Sequence, residues 1–326
     1  MKRQQYKKRK KRKWLGISFL LLALLIGIGA FYWVDQFKQG QSLAGDSTLK
    51  EQSSEFDLFE GPEPQYGEIN VLLLGSDARA NENGGRSDTL MVAHYAQKTG
   101  ALKLISIMRD TYVDIPGYGK QKMNAAFSLG GPELVRQTIK ENFGLDVHYY
   151  TIVDFNGFPK LVDILAPDGI EVDIPYKMQH GIGMTLQPGQ QTLHGDELLG
   201  YVRFRHDRMS DFGRVERQQE ALSKLKEEAV GMHNIMNLPK LLGAAEAYID
   251  TNVDKMTMLS IAKGLLDKKS NGIETLRIPV DHSYRDLETN VGDVLDIDFQ
   301  QNIDALNAFL KGSTETAENT STLDEQ

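Results

Sequence analysis

The 326-residue sequence contains no cysteine, which excludes disulfide bridges, thiolate nucleophiles and thiolate metal sites together. Three other signatures are missing. No G-x-x-x-x-G-K-[ST] phosphate loop, no H-E-x-x-H pair and no G-x-S-x-G elbow occurs, so the nucleotide-loop, zinc-peptidase and serine-hydrolase chemistries have no anchor here. His94, His148, His180, His194 and His206 are scattered without ligand spacing and read as structural. With no bridge to staple it, the fold depends on a sizeable core. A content of 40% apolar and 25% charged residues is that of a globular chain able to build one.

Acid is absent from the first thirteen residues, MKRQQYKKRKKRK, which hold nine Lys and Arg. The remainder carries 28 basic against 45 acidic residues, a net of −17 beneath an overall formal charge of −8. Charge of either sign is absent from Trp14 to Val34, WLGISFLLLALLIGIGAFYWV. At ~1.5 Å per residue such a helix matches the ~30 Å apolar thickness of a bilayer. Trp14, Tyr32 and Trp33 sit at its ends, where aromatic rings favour the interface. A cleaved signal peptide shares these regions, but the apolar run is long for one and no A-x-A-like site follows it. The expectation is a single-pass type II protein of the cell membrane, with residues 1–13 cytoplasmic and the remainder extracellular. The basic run is then a topology signal, with membrane lipid as its neighbour and no nucleic-acid partner.

Residues 35–66 are polar, close on GPEPQYGE and read as an extracellular linker. Residues 313–326 form a second polar stretch, expected to be a disordered tail. Between them, 67–312 is one domain without an internal repeat. Short apolar runs at Ile69–Gly75, Thr89–Tyr95, Leu102–Met108 and Tyr150–Asp154 predict buried strands. Pro132 and Gly144 bracket a helix. Further helices are expected at Phe158–Leu165, from about Phe212 to Ala229, and at Leu238–Ile249, Met256–Leu266 and Phe299–Leu310. Helices interleaved with buried strands predict an α/β fold, a layered α/β/α architecture around a central mixed sheet.

The first strand empties into GSDAR, the second opens from GGRSDTL, and the third ends in Arg109 and Asp110. Open α/β sheets place ligands at such strand ends, so Asp77, Arg86 and Asp88 can meet at one mouth. Carboxylates that offer only oxygen suit a hard cation such as Mg²⁺. Singly, each is as readily a turn residue or a surface ion pair. The stretch Tyr201–Gln219, YVRFRHDRMSDFGRVERQQ, sharpens the reading by concentrating Arg203, Arg205, Arg208, Arg214 and Arg217 in an acidic chain. An extended backbone would put Tyr201, Arg203 and Arg205 on one face; a helix through Arg203 would have to end before Arg205 for the two arginines to cooperate. Arg214, Arg217 and Gln218 fall at i, i+3, i+4 of a predicted helix. Arginine keeps its charge and grips phosphate with two prongs, so the cluster points to a polyanion such as a pyrophosphate. Pairing with Asp207, Asp211 and Glu216 is the plain alternative.

The blocks NVLLLGSDAR, GGRSDTLMVAHY, LISIMRDTYVDIPGYGKQKMNAAFSLGG and LLGYVRFRHDRMSDFGRVERQQ, in this order, resemble the LytR-CpsA-Psr family of Gram-positive bacteria, in its polyisoprenyl-teichoic acid–peptidoglycan transferase branch. The likeness runs closely from Ile69 to Glu228. It implies an extracellular Mg²⁺-dependent phosphotransferase, a transferase of substituted phosphate groups. Such an enzyme moves an anionic glycopolymer, here wall teichoic acid, from a polyprenyl-pyrophosphate carrier to peptidoglycan and releases polyprenyl phosphate. By the same resemblance Asp77 and Asp88 hold the metal, and Arg86, Arg109, Lys122, Arg203, Arg205, Arg214, Arg217 and Gln218 contact the pyrophosphate. Among these, Arg86, Arg109, Arg203, Arg205 and Arg217 carry the catalytic charge. The lipid tail would lie in an apolar tunnel between sheet and helices. One departure is Met108, where many members carry proline. Two rival readings remain, a membrane-bound regulator that senses lipid-linked precursors without turnover and a polyprenyl-pyrophosphate hydrolase, whose active-site residues would be the same. No general base is legible.

Overall fold

The computed structural model describes residues 31–32, 34–42, 58–65, 67–76, 87–207, 209–229, 240–241, 243–244, 248–266 and 272–321. Of the expected membrane helix, only Phe31, Tyr32 and Val34 fall among them, and all three are helical. No helix among the described residues is long and apolar enough to cross a membrane.

After a helix at 34–42 (α1) come strands β1 (Glu68–Ser76), β2 (Ser87–Ala96) and β3 (Ala101–Ile107), the hairpin β4 (Tyr112–Ile115) and β5 (Gly119–Lys122), and helix α2 (Ala125–Phe143). Strand β6 (Tyr149–Asp154), helix α3 (Gly157–Leu165) and the hairpin β7 (Ile170–Ile174) and β8 (Gly189–Leu193) lead to α4 (Gly195–Arg203) and α5 (Ser210–Ala229). The chain closes with β9 (Ile249–Thr251), α6 (Lys255–Leu266), β10 (Glu274–Ile278), the hairpin β11 (Tyr284–Thr289) and β12 (Gly292–Ile297), and α7 (Phe299–Ser321). Among the described residues, six strands form one mixed sheet in the order β10-β3-β2-β1-β6-β9.

Side-chain alternation divides the sheet into two packed faces. Leu72 and Leu74 join Val92, Ile105 and Ile107 on a face covered by Val135 and Ile139 of α2 and by Leu306 of α7. Ile69 and Val71 join Tyr95 and Val253 on the other, where Met258 and Ile261 of α6 pack. A separate apolar cluster gathers α3, β7, β8, α4 and α5 around Val172, Leu198, Tyr201 and Leu225. The expected α/β/α layering is thus present.

Four boundaries differ from the sequence reading. The linker expected at 35–66 is partly built into the fold. A Cβ on Gly40 would lie 2.1 Å from the Lys240 carbonyl oxygen, and one on Gly243 2.1 Å from that of Phe37, so α1 lies against the helical residues 240–241 and 243–244 through glycines that only close packing explains. Phe59 packs against the main core with its ring 5.1 Å from that of Tyr150, and the Glu60 amide donates to Glu133 at 2.9 Å. The helix expected at Pro132 starts at Ala125 instead and is broken at Gly131, whose φ of 63° and ψ of −160° suit glycine alone; its end at Gly144 in the left-handed region matches the expected cap. Ile249 opens β9 rather than closing a helix. The last helix passes residue 312 and continues to Ser321, there being no proline in GSTETAENTS to stop it.

Candidate functional site

Strand direction assembles the site. Because β2 is antiparallel to both β1 and β3, those two run the same way, and β6 and β10 lie parallel to them. Four strands therefore end at one edge of the sheet. There Ser76, the last residue of β1, pairs with Ser87, the first of β2. Met108 and Arg109 leave β3 at the same edge, and Phe155 follows β6.

The conformation of YVRFR is now settled. Helix α4 carries Tyr201 and Arg203, and the chain turns extended at Phe204, with φ −62° and ψ 136°. The Arg203 guanidinium lies 4.2 Å above the ring of Phe155, a cation–π contact across from the end of β6. Beyond the turn, three arginines converge on Asp211. Arg214 donates through Nη2 to Asp211 Oδ2 at 2.8 Å, while the Nε atoms of Arg109 and Arg205 stand 3.5 and 3.8 Å from Oδ1. Arg109 also donates to Asp110 at 3.2 Å, and Lys122 donates to the other oxygen of Asp110 at 2.9 Å. The pairing of Tyr112 with Lys122 in the β4–β5 hairpin is what returns this lysine to the site.

Among the described residues, four cations of this cluster meet Asp110 and Asp211, and Arg214 is only 2% exposed. Concentrated, partly desolvated positive charge of this kind favours an anion with several oxygens. Gln218 lies one turn beyond Arg214, where its Nε2 donates to Thr89 Oγ1 at 2.8 Å and ties α5 to the first residues of β2. The amide of Met108 donates to the Ile278 carbonyl at 2.8 Å, a bond that proline at this position could not make.

Arg217 does not join the cluster. Its Nη1 donates to Asp207 Oδ2 at 2.8 Å, its Nη2 to the Phe204 carbonyl, and its guanidinium lies over the rings of Phe204 and Tyr201. The expected i, i+3, i+4 face therefore splits, with Arg214 and Gln218 turned to the sheet and Arg217 to the opposite flank. Burial pushes the Asp207 carboxyl up, but hydrogen bonds from Tyr176 and Arg217 outweigh it and hold the group below the usual range.

Asp77 and Arg86 lie outside the described residues, as does the side chain of Asp88, whose backbone belongs to β2. Among the described residues no group of three or more His, Asp or Glu could hold a metal. Sequence reasoning missed Phe155, which carries no signal of its own. It also named Asp211 among the ion-pair partners without marking it as the centre of the cluster, although its i, i+3 spacing to Arg214 marks the two as neighbours on a helix.

The model of the LytR_cpsA_psr family matches residues 31–308. The chain is 41% identical over 253 residues, 77% of each protein, to the regulatory protein MsrR of Staphylococcus aureus. It is 32% identical over 289 residues to the polyisoprenyl-teichoic acid–peptidoglycan teichoic acid transferase TagU of Oceanobacillus iheyensis, covering 85% of this chain and 88% of that one. Its fold is similar to that of TagT bound to LIIa-WTA, with a TM-score of 0.62 and 26% identity over 77% of this chain and 93% of the other. With the four motif blocks in order and the arginine cluster at the parallel edge of the sheet, the chain belongs to the LytR-CpsA-Psr family.

Proposed function

We propose that the protein is a phosphotransferase that moves an anionic glycopolymer of the teichoic-acid type from a polyprenyl-pyrophosphate carrier to peptidoglycan, acting outside the cell from a single membrane anchor. The observation that carries this reading is the convergence of Arg109, Arg205 and Arg214 on Asp211, with Lys122 one carboxylate away, at the edge where the parallel strands end. A diphosphate presents the several oxygens such a cluster needs. Leu73 and Ala93 are half-buried on the sheet face beneath α6, although they stand on central strands, which suits an apolar tail running from the cluster.

In this reading the arginines neutralise the diphosphate and hold its phosphorus in line with an acceptor hydroxyl. The hydroxyl oxygen bonds to the glycan-bearing phosphorus, the bond from that phosphorus to the bridging oxygen breaks, polyprenyl phosphate departs with that oxygen, and the hydroxyl proton passes to water. Positioning and charge stabilisation then supply most of the rate. Asp77 and Asp88 would hold Mg²⁺, which when bound supplies further positive charge to phosphate oxygens. Two acids with oxygen donors fit a hard cation, and Ser76 and Ser87, each the residue immediately before one of these acids, pair at that edge.

The test uses the full chain in detergent micelles with Mg²⁺, a polyprenyl-pyrophosphate-linked glycan and uncrosslinked peptidoglycan, with products identified by mass spectrometry. A glycan–phosphate–peptidoglycan adduct that vanishes on chelation and in Asp88→Ala is expected. Polyprenyl phosphate without an adduct would make the protein a hydrolase. An intact donor that nevertheless binds would favour the regulatory role suggested by the name of MsrR.

A further inference from the structure

Helix α5 has a second working face. Asp211, Arg214 and Gln218 fall on the side turned to the sheet, whereas Gly213, Glu216, Arg217 and Glu220 fall on the opposite side and line a cavity of 710 Å³. This volume lies within the ~300–1,000 Å³ of small-molecule sites. Tyr176, Tyr201, His206 and Asp207 complete much of the wall, and Asp173 adds a fourth carboxylate to those of Asp207, Glu216 and Glu220. Among the described residues of the lining, Arg217 is the one cation against four acids, so this described lining is net negative, opposite in sign to the arginine cluster.

The connector Phe204–Met209 serves both sites. Alternation along its extended start sends Arg205 toward Asp211 and the next residue, His206, into the cavity wall. The wall is also built around a buried ion pair. The side chains of Arg217 and Asp207 are 8% and 4% exposed, and Tyr176 donates to the same Asp207 oxygen that accepts from Arg217. Asp207 Oδ1 and Arg217 Nε are buried and have no hydrogen-bond partner among the described residues. Gly213 makes room for the pair, since a Cβ there would lie 3.0 Å from Asp207 Oδ2 and 3.2 Å from Arg217 Nη1.

We propose that this cavity binds the acceptor saccharide, as a neutral or amino-bearing sugar unit beside the diphosphate cluster; the assignment rests on the transfer reading above. Sugar hydroxyls donate to carboxylates, which Asp173, Glu216 and Glu220 add to the wall. Tyr176, 39% exposed, offers a ring face to the C–H surface of a sugar. The sign of the charge separates the two substrates: phosphate oxygens are drawn to the arginines and repelled by the four carboxylates, and an uncharged or ammonium-bearing sugar is not. Asp207, held ionised by its two donors, is a fixed acceptor here and not a proton carrier.

The experiment measures binding of a soluble N-acetylglucosamine tetramer and of inorganic pyrophosphate to the full chain in micelles by calorimetry, followed by acceptor and donor KM in the transfer assay. Independent binding of the two probes is expected. Glu216→Gln, an exposed helix position, and Tyr176→Ala should each weaken the tetramer and raise the acceptor KM by about tenfold, with pyrophosphate affinity and donor KM unchanged. Competition between the probes, wild-type tetramer affinity in both variants, or a rise in donor KM instead would overturn the assignment, the last by placing the donor's own sugars in the cavity. Tetramer binding that both variants abolish, in a chain that transfers nothing, would support the cavity while refuting the transfer reading.

Discussion

Acidification is expected to weaken the fold through His94, and the magnitude follows from a row of polar residues across an otherwise apolar face of the sheet. His94 on β2 stands in register between Asn70 of β1 and Lys103 of β3. Asn70 Nδ2 donates to the Asp146 carbonyl at 2.7 Å, which turns its Oδ1 toward His94 Nδ1, 2.8 Å away. The proton of the neutral ring therefore resides on Nδ1. Nε2 is left buried without a hydrogen-bond partner among the described residues. A second proton would place a charge there, close to the 2% exposed ammonium of Lys103, which is already engaged by the Phe309 carbonyl and Glu274. Burial first, then Lys103 and His148, lowers the His94 pKa from 6.5 to about 4.

Above pH 6.5 the ring is neutral in both folded and unfolded chains and contributes no pH dependence. Below it the unfolded chain takes up a proton that the native state refuses, so stability falls until the folded pKa is reached. At about 1.4 kcal/mol per unit, the loss is about 2 kcal/mol at pH 5 and about 3 kcal/mol at pH 4. Urea unfolding of the wild type and His94→Gln at pH 7.5 and pH 5 isolates this contribution. Carboxylates common to both chains cancel in the difference, and so does the constant cost of replacing the ring. The gap in unfolding free energy should change by about 2 kcal/mol in favour of the variant at pH 5. Equal gaps at the two pH values would refute the assignment of the neutral, buried tautomer.

Two further outcomes test the site and the boundary of the domain. Arg205→Ala, whose side chain is 29% exposed, should cut transfer by about a hundredfold at an unchanged melting temperature; wild-type turnover would remove Arg205 from the reacting charge. Phe59→Ala should cost about 2 kcal/mol, less than a fully buried phenylalanine because the ring is half-exposed. That corresponds to a melting temperature lower by about 4–8 °C, and no shift would return residues 58–65 to the role of a free tether.

The strands β1, β2, β3 and β6 were legible because each carries an apolar run that two packed faces demand, whereas the hairpins were not. Five of the twelve residues in YRDLET and GDVLDI are charged, and β11 is largely exposed along YRDLET, so no buried period marks it. Gly40 misled in another way, because a glycine packed helix to helix and one in a linker look alike in sequence until the partner backbone is known. The arginines show the same limit at the site itself. Their number, and hence the demand for a polyanion, is a property of composition. Their assignment to partners depends on where the backbone changes period. Helical spacing carries Arg203 to the end of α4, and extended spacing from Phe204 then sends Arg205 and His206 to opposite sides. Arg217 is drawn after Asp207 on the same connector instead of joining Arg214. One change of backbone period between Arg203 and Arg205 thus sorts neighbouring charges into a cluster that suits phosphate and a cavity that excludes it.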